Sequence, residues 1–178
     1  MKGRYLTVSV KSYIKKYLTE SLNTEIIKPE RGSTLLSIIK PHLILVSAME
    51  KEEEIPAGYE EIQIELPDLR QVYEASSGKV YYCETLFRNR IDSIGLAKVR
   101  TFFTRTFKAA FHTFMDGYIE YQNEFKSKEE GLVVKQGVCS FLNQYHITYD
   151  NKLADNLTRD WYRHRDRNEK NRFSPVLY

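Results

Sequence analysis

Residues 93–125 read SIGLAKVRTFFTRTFKAAFHTFMDGYIEYQNEF, and the spacing of their apolar side chains decides the fold class. Leu96, Val99, Phe103, Phe107, Ala110, Phe114, Tyr118, Tyr121 and Phe125 recur every three or four residues. That period lines one side of an α-helix, and it persists for roughly 30 residues. Phe102, Phe111, Met115 and Ile119 widen the stripe. A helix that is apolar on two sides must bury both, so the reading includes a homodimer seam beside the core. Gly117 is a candidate bend.

Downstream the helical period continues. Ser127-Lys-Glu-Glu130 has the form of a capping box, in which the serine accepts from a free amide and the glutamate reaches back. Val134, Val138, Phe141 and Tyr145 then share a face. His146 to Tyr149 reads as a break, and Asp150 can cap a last helix carrying Leu153, Leu157 and Trp161. That helix should fray near Asn171, leaving Phe173 to Tyr178 as a tail.

Upstream the period is two. Leu6, Val8 and Val10 alternate with Thr7 and Ser9, as in a half-buried strand. Tyr13, Ile14, Tyr17 and Leu18 mark a short helix, and Glu25 to Lys28 a second strand. Ser33 caps a helix through Ile39 that Pro41 should end. His42 to Ser47 reads as a strand, with a buried helix as the alternative, and Glu60 to Leu66 alternates more cleanly than any other segment. Glu50 to Glu54 is an acidic loop, and residues 68–83 have no clear period, with Ser76-Ser77-Gly78 as a turn. The fold class is therefore α+β: a small strand-containing N-terminal part, residues 1–90, followed by a helical C-terminal half, residues 91–178, with a helix-turn-helix-like end.

Composition narrows the function classes. The chain of 178 residues is 42% apolar and 13% aromatic, enough for an ordinary core without disulfide staples. Its net charge of +3 is carried entirely by the part after residue 90, so a protein that coats nucleic acid along its whole surface is not expected, while a protein with one basic face need carry no more charge than this. Cys83 and Cys139 are too few for a secreted disulfide framework and read as free thiols. The N-terminus leads straight into a strand with no apolar signal region, and the apolar stretch Leu43 to Met49 is far shorter than the ~20 residues of a membrane span. The expected location is cytoplasmic.

No catalytic constellation emerges. His42, His112, His146 and His164 are widely separated in sequence, none with a partner at metal-ligand spacing, so neither metal nor cofactor is expected. There is no nucleophile elbow and no phosphate-cradling glycine loop. Glu52, Glu53, Glu54, Glu60, Glu61 and Glu65 read as a solvated face rather than a divalent-ion cluster. The expectation is a protein that is not an enzyme.

The informative feature is the C-terminal helix. Arg159, Arg163 and Arg167 stand at i, i+4 and i+8, and Lys170 follows three further on. Arg165, His164 and Arg172 add charge nearby, Lys152 precedes them, and Leu153, Leu157 and Trp161 face the other way. Such a helix can dock on a core while presenting cations to a phosphate backbone. Lys152, Arg159, Arg163, Arg165, Arg167, Lys170 and Arg172 are thus the expected DNA contacts. Helix, break and helix over Val134 to Arg165 have the outline of a helix-turn-helix. Against it, the turn reads His-Ile-Thr-Tyr where a small residue is usual, and Asp155, Asp160, Asp166 and Glu169 dilute the field. The alternative reading is a solvated helix with internally paired arginines, or one that meets an acidic partner protein.

The stretch Phe141-Leu-Asn-Gln-Tyr-His-Ile-Thr through Leu157-Thr-Arg-Asp-Trp-Tyr-Arg-His-Arg resembles the C-terminal segment of small uncharacterised accessory proteins of phages and mobile elements. The resemblance covers that segment alone. It implies an accessory or regulatory DNA-associated role and identifies no active residue.

Overall fold

A computed structural model describes residues 5–47, 54–66, 87–125 and 130–173, with side chains at all of these except 45, 47, 87, 88, 123–125, 130 and 169–173. The chain forms two compact units, Met1–Thr104 and Arg105–Tyr178. The architecture is α+β, with the strands in the first unit and helices throughout the second.

The first unit follows the alternation of its sequence. Strands β1 (Tyr5–Lys11) and β4 (Tyr59–Glu65) pair antiparallel, with Leu6 opposite Ile64 and Val8 opposite Ile62. Strand β2 (Ile26–Ile27) adds to the other side of β4 in parallel, giving the order β1-β4-β2. Because side chains alternate across a strand, this register gathers Leu6, Val8, Val10, Ile27, Ile62 and Ile64 on one buried face. Helix α1 (Ser12–Leu22) packs on β1 and β4 and buries Ile14, Tyr17 and Leu18. It ends at Asn23, whose left-handed φ of 50° lets the chain turn into β2.

Helix α2 (Thr34–Ile39) starts where expected, its first turn capped by the Ser33 hydroxyl, which accepts from the Leu36 amide. A 3-10 turn over Lys40–His42 carries Pro41 and leads into β3 (Leu43–Ser47). Strand β5 (Phe87–Ile91) pairs antiparallel with β3 as a separate two-stranded sheet. The long helix α3 (Ser93–Phe125) follows, running through Gly117 without a break. The acidic run before Glu54, the Ser76-Ser77-Gly78 turn, the Ser127 capping box, Cys83 and the tail after Phe173 lie outside the described residues.

The second unit is helical. It contains α3 from Arg105, α4 (Glu130–Gln144) and α5 (Asn151–Phe173). Phe141 of α4, with no exposed surface, is its hub: Phe107, Phe111 and Phe114 stand edge-on to its ring at 5.6, 5.2 and 5.4 Å, and Tyr145 lies 4.9 Å away. Edge-to-face arrangements suit the ring quadrupole, positive edge toward negative face. Val134, Val138, Leu142, Ala154, Leu157 and Trp161 complete the core. The apolar stripe of α3 is thus divided, Val99 and Phe103 buried in the first unit, Phe107, Phe111 and Met115 in the second. No described helix is long and apolar enough to cross a membrane.

Candidate nucleic-acid interface

The break between α4 and α5 is a defined joint. The Ile147 amide donates to the Leu142 carbonyl at 2.9 Å, and the His146 amide to that of Asn143 at 3.1 Å. These are the two bonds of a Schellman ending, and they put His146 in the left-handed position at φ 50°. Histidine therefore occupies the place where a small residue was missed in the sequence. Ile147 plugs into the core immediately after it. Asp150 caps α5: its carboxylate accepts from the amides of Leu153 at 3.2 Å and Lys152 at 3.4 Å.

From that cap the face of α5 is fixed. Ala154, Leu157 and Trp161 are buried. Lys152, Arg159, Arg163 and Arg167 are all exposed. At 100° per residue these four cations fall within an arc of about 80° on the side away from Trp161, and with a rise of 1.5 Å per residue they span about 22 Å. Asp155 and Asp166 are exposed at the edge of this row. The Arg167 Nε donates to the Arg163 carbonyl at 3.1 Å, which ties one guanidinium to the helix backbone.

Arg165 is not part of the row. It is half-buried on the Trp161 side, its guanidinium over the Tyr162 ring at 5.1 Å and its Nε 4.0 Å from Asp166 Oδ1. Lys170 and Arg172 lie in the last turns of α5, and their side chains fall outside the described ones.

On the inner flank of α5, histidines distant in sequence meet. Asp160 is turned toward α3, where its Oδ1 accepts from Lys108 Nζ at 2.6 Å and its Oδ2 from His112 Nε2 at 2.9 Å. The His112 ring stacks on that of His164 at 4.0 Å and 15°. His164 Nε2 accepts from Asn168 Nδ2 at 3.0 Å and stands 3.7 Å from Asp116 Oδ2. Burial pushes Asp160 upward, but the Lys108 ammonium and the His112 donor outweigh it and hold the carboxyl below its ordinary value. Burial, then the nearness of His164, holds His112 below the ordinary histidine value despite the opposing pull of Asp160. One consequence bears on the outer row. Asp160, which in sequence counted against the basic field, is neutralised inside by Lys108.

No family model, curated protein sequence or solved structure matches this chain. The site must therefore be read from its own geometry.

A second cluster lies in the first unit. Asp92 Oδ1 accepts from the Gly95 amide at 2.7 Å and caps α3, while its Oδ2 accepts from His42 Nδ1 at 3.0 Å. Lys98 Nζ lies 2.9 Å from His42 Nε2. The Gly95 amide first, and His42 second, hold the Asp92 carboxyl below its ordinary value. A Cβ at Gly95 would sit 2.3 Å from His42 Cβ, so the contact requires glycine there. Neither cluster was legible in sequence, because each joins residues about fifty positions apart. Among the described residues no group of three or more His, Cys, Asp or Glu side chains has an arrangement fit to hold a metal ion.

Proposed function

We propose that this protein is a non-enzymatic DNA-binding accessory protein that lays α5 against the phosphate backbone of duplex DNA. One observation carries the reading: Lys152, Arg159, Arg163 and Arg167 share an exposed arc on a capped helix whose opposite side is anchored by buried Trp161. Anchoring matters, because a cation on a pre-ordered helix gives up less freedom on binding than one on a loose tail. The row's length of about 22 Å corresponds to roughly six base pairs at 3.4 Å each. Contacts of this type fix position and carry no sequence information, so the expected binding is strong in salt dependence and poor in sequence preference. At 100° per residue position 170 continues the row in this reading, whereas position 172 falls at the angle of Trp161 and does not. The stacked, 4.0 Å contact of His112 and His164 leaves no room for a reacting group between them.

The accessory role in a phage or mobile element follows from the resemblance of the C-terminal segment. A homodimer, built on the apolar residues of α3 not used in the cores, would double the row; light scattering that reads twice the 21.0 kDa chain mass supports it.

Four neutralised phosphates give a slope of log affinity against log salt of roughly −3.6, at about −0.9 each. Replacing Arg163 and Arg167 together by alanine should bring it to roughly −1.8. Wild-type protein that shifts neither duplex nor single-stranded DNA at low salt removes the DNA reading and leaves an acidic protein as the partner for this face.

A further inference from the structure

We propose that the stacked pair His112 and His164 makes the DNA-facing helix acid-releasable, so that protonation of both rings unclasps α5 from α3 and lowers DNA affinity. The output of this device rests on the DNA reading of α5; its mechanism rests on the cluster itself.

The charged and titratable groups that face the pair are Lys108 and Asp116 from α3 and Asp160 from α5. Helix α4 enters this layer through Phe141 on Phe111, an uncharged contact. With both imidazoles neutral, Lys108 balances Asp160 and leaves Asp116 over. A charge on His164 would face a carboxylate: its Nε2 lies 3.7 Å from Asp116 Oδ2, and exchanging the Asn168 hydrogen bond for that ion pair balances the cluster. A charge on His112 would have no carboxylate to itself, because this ring is more deeply buried and its partner Asp160 is already shared with Lys108. The two rings are nearly parallel and 4.0 Å apart, so two imidazolium faces would meet with nothing between them to shield the repulsion. The unfolded chain takes both protons freely. Acid therefore favours any state in which α5 has left α3, and the row from Lys152 to Arg167 loses the surface that orders it.

The sign separates this device from an ordinary basic surface, whose affinity for DNA rises as histidines gain charge. Trp161 is the single tryptophan, and its ring lies 5.8 Å from that of His164, so its fluorescence reports charge arriving there without reference to DNA.

The test titrates the full chain from about pH 8 to about pH 5 at constant ionic strength. Trp161 fluorescence, the urea midpoint and the affinity for a random-sequence duplex are read together. In wild-type protein the midpoint should fall once pH passes below about 6.5, and duplex affinity should drop about tenfold per unit beyond that point at most. His164→Gln cannot charge and retains a side-chain amide; it should make both profiles shallower than wild type, as should His164→Asn, the burial of His112 accounting for what remains. A wild-type midpoint that is level across the range, or a His164→Gln midpoint that falls as the wild type does, overturns the proposal. Duplex binding that is tight and does not weaken in acid overturns it too, while leaving the DNA reading in place. A chain that binds no duplex at any pH removes the DNA reading, and the midpoints of wild type and His164→Gln then decide the clasp alone.

Discussion

Replacing Phe141 by alanine should remove most of the stability of the second unit. Its side chain has no exposed surface and touches four aromatic rings at centroid distances between 4.9 and 5.6 Å. A buried Phe→Ala change ordinarily costs about 3–5 kcal/mol. Aromatic pairs add about 0.5–1.5 kcal/mol each beyond area, and four of them set the expectation at the upper end, about 5 kcal/mol. A unit the size of Arg105–Tyr178 holds about 4–11 kcal/mol in total, at 0.05–0.15 kcal/mol per residue. The variant should therefore stand near the limit of folding. Urea titration followed by the fluorescence of Trp161, buried in the same core, measures the loss. Phe141→Leu, which keeps most of the volume, should cost only about 1–2 kcal/mol and gives a measurable baseline. Phe114 contributes one of the four rings and is half-buried, so Phe114→Ala should cost clearly less than Phe141→Ala. A Phe141→Ala loss under about 2 kcal/mol, or a Phe114→Ala loss equal to it, refutes the view of Phe141 as hub.

Four further outcomes are expected. Arg165→Ala should leave the salt slope of DNA binding at its wild-type value, because Arg165 sits beside Tyr162 and not in the exposed row, while lowering the urea midpoint slightly. His146→Gly should stabilise the chain by up to about 1 kcal/mol in the same titration, since glycine holds the left-handed φ of 50° without a Cβ penalty. Gly95→Ala should destabilise by about 3 kcal/mol in thermal unfolding, the new Cβ meeting His42 Cβ close to the main chain, where neither can swing away. Asp160→Asn should cost about 1–3 kcal/mol at neutral pH by stranding Lys108 and His112. Because the folded-state Asp160 carboxyl lies below its ordinary value of 3.8, the stability it contributes is present above that value and is lost as pH falls from there through the lower folded-state value, so the gap between variant and wild type should persist at about pH 5 and close only below about pH 4.

The elements that sequence revealed are those whose periodicity is local. Leu6-Val8-Val10 and Ile62-Ile64 announced β1 and β4 because one buried face writes itself into every second residue. The stripe from Leu96 to Phe125 announced α3 for the same reason at a helical period, and Ser33 and Asp150 announced their helices because a cap is a one-residue signal. Strand β5 went unread: in Phe-Arg-Asn-Arg-Ile a polar asparagine breaks the apolar alternation, and the pairing with β3 that makes it a strand comes from some forty residues upstream. The basic row was legible for Arg159, Arg163 and Arg167. Arg165 was grouped with it on proximity in sequence, yet two residues along a helix turn a side chain by about 200°, which carries Arg165 away from Arg163 and onto the packing side. Asp160 was counted as part of the outer field, and its partners on α3 are about fifty residues away. Charge at an interface is set by which side chains face it, and a local sum cannot supply that.

The contact of His42 with Gly95 also dictates how this fold can be inherited. Position 95 cannot gain a side chain while position 42 carries a Cβ and Ile91 stays in place, and Asp92 keeps two partners only while His42 and the Gly95 amide both remain in reach. Drift at any one of the three is penalised until another changes with it. Descendants of this sequence should therefore carry the three together or lose them together, long after the exposed residues around them have diverged. A histidine followed about fifty residues later by Asp-x-x-Gly, at the entrance to a long aromatic-rich helix, is the mark by which distant kin of this chain would be told apart from unrelated α+β proteins.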